Sequence, residues 1–299
     1  MNIRTFFSRP PFAELRGLAS AASTDDPELR EAVAGILREV AERGDAALLD
    51  FTRRFDRLDA AGVDGLRVPP EELERAAASI DPALLASLRR AADNVRRFHE
   101  RQREHGFVEL LPDGSLLGQR VTALRRVGIY VPGGRAAYPS TVLMNAIPAA
   151  VAGVEEIAMV SPAPDGETAP VVLAAAHVAG VTEVFRVGGA QAVAALAHGT
   201  ETVGRVDKIV GPGNRWVAEA KRQVVGRVDI DMIAGPSEIL VIADAHADPI
   251  HAAADLIGQA EHDPDAIAWL VTTAAELAAR VPAEVERLLA RNPRRDVAR

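Results

Sequence analysis

The sequence predicts an α/β fold with doubly wound parallel sheets behind an N-terminal helical region, and three features of the chain lead there. Apolar residues recur at helical steps through the first hundred positions. From about Leu116 onward, short β-rich runs alternate with helical runs of small residues. Glycine and proline cluster between these runs. Alternation of this kind makes parallel strands, because each crossover must return the chain to the same end of the sheet and lays a helix over one of its faces.

After Thr24-Asp25-Asp26, either Asp25 or Asp26 can cap a helix, and Pro27 suits its first turn. Leu29, Val33, Ile36, Leu37 and Val40 then form an apolar stripe that Gly44 ends. A second helix is predicted after Asp81-Pro82, with Leu84, Leu88, Ala91, Val95 and Phe98 on one side. Strands are predicted at 127–131, 156–160, 183–187, 207–210, 239–243 and 266–272. Helices are predicted between them at 141–151, 169–179, 190–197, 216–224 and 249–260, and Pro148 should kink the first.

Composition excludes several chemistries. The chain has 299 residues, 34 basic and 42 acidic side chains, a net charge of -8, and no cysteine. Thiolate catalysis, iron–sulfur clusters, disulfides and Cys-ligated zinc are therefore out. There is no uncharged apolar run of about 18 residues that would cross a bilayer, and Met1 to Phe7 lacks a signal-peptide core. The expected location is the cytoplasm. Net acidity disfavours nucleic acid, and the arginines at 89, 90, 96, 97, 101 and 103 read as a solvated helix face.

The Gly/Pro clusters are Pro132-Gly133-Gly134, Gly188-Gly189, Gly211-Pro212-Gly213-Asn214 and Gly235-Pro236-Ser237. In an open α/β sheet, ligands bind beyond the carboxyl ends of the strands, so the clusters suggest one composite cleft; each turn alone also needs glycine for its own geometry. No G-x-G-x-x-G is present, since Gly211-Pro212-Gly213 lacks the third glycine. Tyr130 offers a ring with a polar tip beside the cleft, or a boundary of the core. Ser237 either faces a ligand or bonds its own turn. Gln259 and His262, three residues apart, share a helix end where both reach one cation, unless His262 is there only for the helix dipole. Glu261 is expected to point into solvent, and the remaining histidines show no convergent spacing.

Four stretches together resemble histidinol dehydrogenases: Arg126 to Gly134, Val187-Gly188-Gly189-Ala190-Gln191-Ala192, Gly211 to Asn214, and the run from Ile230-Asp231 through Ala234-Gly235-Pro236-Ser237-Glu238 to Gln259-Ala260-Glu261-His262. The resemblance covers nearly the whole chain. It implies oxidation of L-histidinol through the aldehyde to L-histidine, in histidine biosynthesis, with two NAD⁺ in succession and one zinc. It implies NAD contacts at Tyr130, Gln191 and Asn214, substrate contacts at Ser237, Gln259 and His262, and zinc ligands at Gln259 and His262. It also implies homodimers, and a domain plan of an arm over 1–24, a first α/β domain from 25–127 with 237–299, and an incomplete Rossmann-like NAD-binding domain inserted at 128–236.

One departure matters. The family's Glu-His catalytic pair, an Asp zinc ligand and a further His lie beyond the position matching Arg299, so the resemblance implies a C-terminally truncated form that is inactive alone. Two alternatives stand beside it: a nucleotide-binding relative without turnover, and a dehydrogenase of another amino alcohol or diol.

Overall fold

The computed structural model describes residues 26–133, 137–233, 237–262 and 266–298. The expected arm over 1–24 lies outside them, as do Gly134, Gly235 and Pro236. Two compact units divide the chain, one over Pro27–Ile233 and a second containing the described residues after it.

The larger unit runs α1 (Pro27–Arg43), α2 (Asp45–Asp56), β1 (Arg67–Val68), α3 (Pro70–Ser79), α4 (Pro82–Glu100), β2 (Phe107–Leu110), β3 (Leu116–Gln119), β4 (Arg126–Tyr130), α5 (Pro139–Val151), β5 (Glu156–Val160), α6 (Pro170–Ala179), β6 (Glu183–Phe185), α7 (Gly189–His198), β7 (Lys208–Val210), α8 (Arg215–Val224) and β8 (Asp229–Ile230). Six strands form one sheet in the order β1-β6-β5-β4-β7-β8. All pairs are parallel except β1 with β6. The chain leaves β4 in one direction toward β5 and β6, then returns to lay β7 on the other side of β4. The order therefore reverses between β4 and β7, the place where doubly wound sheets open a crevice.

Strand alternation builds two cores, one on each face. Val127, Ile129, Val131, Ile157 and Met159 pack with α3, α4, α5 and α6, while Tyr130, Ala158 and Val160 pack with α1, α2, α7 and α8. Both faces are buried, so these strands read as continuous apolar runs. Gly128 has no side chain because a Cβ there would stand 2.8 Å from the Leu196 side chain, and α7 lies directly on the strand. At the amino edge, Arg126 bonds Glu156 at 2.7 Å and also Glu183, which in turn takes Arg67. These charges tie four neighbouring strands in register.

The expected α/β class and helical beginning are present, with two differences. Segment 27–100 is not a layer apart: α1 and α2 cover one sheet face, α3 and α4 the other, and β1 joins the sheet edge. Contacts therefore group 27–127 with 128–233, whereas the sequence reading grouped 25–127 with 237–299. Within α4 the buried stripe is Leu88 and Ala92, flanked by Leu85 and Val95, so Leu84, Ala91 and Phe98 face outward. Helix α5 runs on through Pro148 to Val151.

The smaller unit contains β9 (Glu238–Ala243), α9 (Pro249–Ala260), β10 (Ile267–Thr272) and α10 (Ala275–Leu289). Strands β9 and β10 pair in parallel, and Leu256, Ile257, Leu277, Val281, Val285 and Leu289 close the core between their helices. Among the described residues no helix is long and apolar enough to cross a membrane.

Among the described residues Phe185 is the largest fully buried side chain, at the end of β6 beside the edge strand β1, on the α1/α2 face. Phe185→Ala is expected to cost about 3–5 kcal/mol through the cavity left behind, read as a lower urea midpoint.

Candidate functional site

Three of the glycine turns meet at the carboxyl edge of the large sheet, after β4, β6 and β7. Their glycines have no room for a side chain. A Cβ on Gly133 would fall 2.5 Å from the Pro162 carbonyl oxygen, one on Gly188 2.5 Å from the Pro162 ring, and one on Gly211 2.2 Å from the Tyr130 carbonyl oxygen. Gly211 also has φ 109°, which only glycine adopts without strain. The floor of the crevice is thus glycine backbone packed on two carbonyl groups and on the Pro162 ring.

Tyr130 ends β4, is 2% exposed, and its hydroxyl accepts from the Gly189 N–H at 3.1 Å. Burial pushes its phenol well above the usual tyrosine range, so the hydroxyl keeps its proton. Gln191 lies in the first turn of α7, 1% exposed, with Nε2 buried and unpartnered among the described residues. An orphaned amide donor beside turns that admit no side chain fits a polar ligand such as a dinucleotide. Asn214 caps α8: its Oδ1 accepts from the N–H groups of Trp216 at 3.0 Å and Val217 at 3.2 Å. Only its amide nitrogen is left to face a ligand.

The turn at Gly211 is knotted by charge. Lys221, 3% exposed, donates to the Gly211 carbonyl at 2.9 Å and to Asp231, whose second oxygen accepts from the Gly211 N–H at 2.8 Å. A flexible ammonium reaches into this slot where a planar guanidinium would need a wider one.

In the smaller unit, β9, α9 and β10 form a β-α-β crossover. Helix α9 runs back against β9, which returns its last turn to the end where both strands begin. Ser237, just before β9, and Gln259 and His262, at the end of α9, are therefore at the same edge, the amino edge. Ser237 thus precedes a strand, whereas the sequence reading put its Gly/Pro cluster where strands end. Ser237 is exposed, and its carbonyl accepts from the Ile267 N–H at 3.4 Å. Gln259 buries its Nε2, which has no partner among the described residues. His262 lies two residues past the helix end, exposed, yet its N–H still bonds the Gln259 carbonyl at 3.1 Å and continues the turn. Glu261 is half-buried and takes a hydrogen bond from Asn292, so it does not point into solvent as expected. An open groove of about 770 Å³ with His246 and His251 lies at the opposite edge.

The family model for histidinol dehydrogenase matches residues 19–299. The chain belongs to the histidinol dehydrogenase family. It is 56% identical over 291 residues to the histidinol dehydrogenase of Chromobacterium violaceum, covering 97% of this chain and 67% of that one. With the Pseudomonas putida histidinol dehydrogenase it shares 54% identity over 303 residues, 99% of this chain and 69% of the other. The crystal structure of histidinol dehydrogenase from Elizabethkingia anophelis superposes with a TM-score of 0.86 at 35% identity, over 97% of this chain and 66% of that one. The chain thus spans about two thirds of the length of these family members.

Within this family frame the larger unit holds Tyr130, Gln191 and Asn214 on the turns of one sheet edge, and the smaller holds Ser237, Gln259 and His262 at one end of one crossover. The zinc expectation meets a limit. No group of three or more His, Asp or Glu that would hold a metal occurs among the described residues. Gln259 and His262 are two neutral donors, whereas zinc takes four ligands, or three plus water. They do not make a closed site. Sequence reasoning missed Asp56, Pro162, Lys221 and Asp231. A signal for Lys221 was available: the chain has just two lysines, Lys208 and Lys221, against many arginines.

Lys221→Met leaves Asp231 without its cation and the Gly211 carbonyl without a donor. Asp231 is partly solvated, so the expected cost is about 1.5–3 kcal/mol, that of hydrogen bonds to a charged group. Urea unfolding measures it, and Lys221→Arg is expected to recover less than half.

Proposed function

We propose that this chain is the dinucleotide-holding portion of a histidinol dehydrogenase, with part of its substrate site. The whole protein would oxidise L-histidinol through L-histidinal to L-histidine with two successive NAD⁺. The observation that carries the reading is the orphaned Gln191 amide beside Tyr130 at the switch point of the sheet, in a chain of this family.

NAD⁺ supplies the hydride acceptor when bound. Tyr130 presents a protonated hydroxyl already fixed by the Gly189 amide, so it recognises the ligand without gaining a charge. Gln191 offers an amide donor in a dry site, where a new hydrogen bond is worth most because water is excluded. Asn214 spends its oxygen on the helix cap and offers its nitrogen. In the smaller unit Ser237, Gln259 and His262 would receive the amino-alcohol substrate and lend two donors to zinc. The resemblance assigns the alcohol proton to a Glu-His pair of the family, and none of these residues is given that role.

Calorimetry with NAD⁺ is the test. Binding is expected, and Gln191→Ala should weaken it about tenfold, the worth of one hydrogen bond in a buried site; unchanged affinity would refute the assignment. With L-histidinol and NAD⁺, no NADH is expected above background at 340 nm. Zinc titration should show no stoichiometric nanomolar binding, and a nanomolar site would contradict the two-donor reading.

A further inference from the structure

Asp56 ends α2 where ordinary preferences argue against it. It is an anion at the negative end of its own helix. It is 8% exposed, and its hydrogen bond among the described residues comes from the Gly188 N–H at 3.3 Å. Burial pushes its carboxyl above the usual range, with the Gly188 amide pulling the other way. The next residue, Arg57, has a left-handed φ of 54°, and among the described residues the other non-glycine with positive φ is Asp165, at 57°. These two are bonded to each other, Arg57 to Asp165 at 3.0 Å. Asp165 belongs to the β5–α6 connection, the stretch that also supplies Pro162 to the crevice floor. The end of α2 is therefore fastened to two of the loops that make that floor, at the expense of local strain on both sides.

We propose that Asp56 is the positioning residue of the dinucleotide crevice: its carboxylate holds the Gly188 amide, which aims the next amide, Gly189, at the Tyr130 hydroxyl and so fixes the phenol and the Gln191 side chain where the nicotinamide dinucleotide meets them. This rests on the reading of Tyr130 and Gln191 as dinucleotide contacts and adds a residue that touches no ligand. The physical reason lies in the turn. Gly188-Gly189 has more backbone freedom than any other dipeptide, and Gly189 has φ 66°. An acceptor clamped to a helix end removes that freedom. A carboxylate suits the place because Gly188 is the N-cap of α7, where the helix dipole favours an anion. The unfavourable end of α2 is offset by the favourable end of α7.

The test uses the 299-residue chain with Asp56→Asn, which keeps an acceptor, and Asp56→Leu, which does not. NAD⁺ affinity is measured by calorimetry, and amide hydrogen exchange is followed at Gly188 and Gly189. Asp56→Leu is expected to weaken NAD⁺ binding about tenfold and to speed exchange of both amides by a similar factor, while Asp56→Asn stays within about threefold of the parent. Tyr130→Phe added to Asp56→Leu should cost less than it does alone, because the hydroxyl is no longer aimed. If Asp56→Leu lowers the unfolding midpoint while affinity per folded molecule and exchange at both glycines stay at parental values, the proposal is overturned. Should Asp56→Leu not fold, Asp56→Ser, too short to reach Gly188, gives the same readings. If Tyr130→Phe and Gln191→Ala both leave NAD⁺ affinity unchanged, the dinucleotide reading fails, and unaltered glycine exchange in Asp56→Leu then sinks the clamp as well, whereas faster exchange upholds it.

Discussion

No side chain fits between the ends of β4 and β7. The carbonyl of Tyr130 and the α-carbon of Gly211 are in contact there, and the same holds for Gly133 and Gly188 against Pro162. This closeness is what lets three loops from strands on both sides of the reversal share one floor, and it leaves backbone and a few buried amides, not bulky side chains, to line the crevice. Everything placed on that floor inherits its position from it: the Tyr130 hydroxyl through the Gly189 amide, the Gly211 turn through Lys221 and Asp231, the Asn214 cap through the helix that Gly213 admits.

Charge is paired at both edges of the sheet. At the amino edge Glu183, Arg126 and Glu156 form a chain of ion pairs that the Arg67 side chain joins from the antiparallel strand, and Lys208 pairs with Asp229 on the partner strand in register. The carboxyl edge pairs its charges too: Lys221 with Asp231 under the Gly211 turn, Arg186 with Glu72 just past β6, and the Asp56 carboxylate on the Gly188 amide. The amino-edge ion pairs join neighbouring strands and so help to fix which of them lie side by side.

The smaller unit follows a different rule. Its open groove is at the carboxyl edge, where α/β sheets usually bind ligands, but Ser237, Gln259 and His262 gather at the amino edge, carried there by the return of α9. Its two strands also leave Leu240, Ile242 and Val271 exposed on the face away from the helices. Relatives of this family are longer than this chain by roughly the amount that two thirds coverage implies.

The sequence by itself determined the class, the order of the central strands and helices, the glycine turns, and the residue types at the crevice, because periodicity, caps and glycine are local properties. Strand Glu156–Val160 and helix Pro249–Ala260 could be read to the residue, each bounded by its own breaker or cap. Four short strands were silent: Arg67–Val68 and Asp229–Ile230 are two residues each, too short for any period to show, and the hairpin Phe107–Leu110 with Leu116–Gln119 is exposed on every residue and so lacks an alternating pattern. Only the tertiary structure decided which helices cover which face, that 27–127 packs on 128–233, that Asn214 spends its oxygen on a cap, and that Asp56, 132 positions before Gly188, bonds its amide. Those are long-range pairings between residues whose own neighbourhoods carry no trace of them, since a buried carboxylate acquires its meaning from what the fold brings against it.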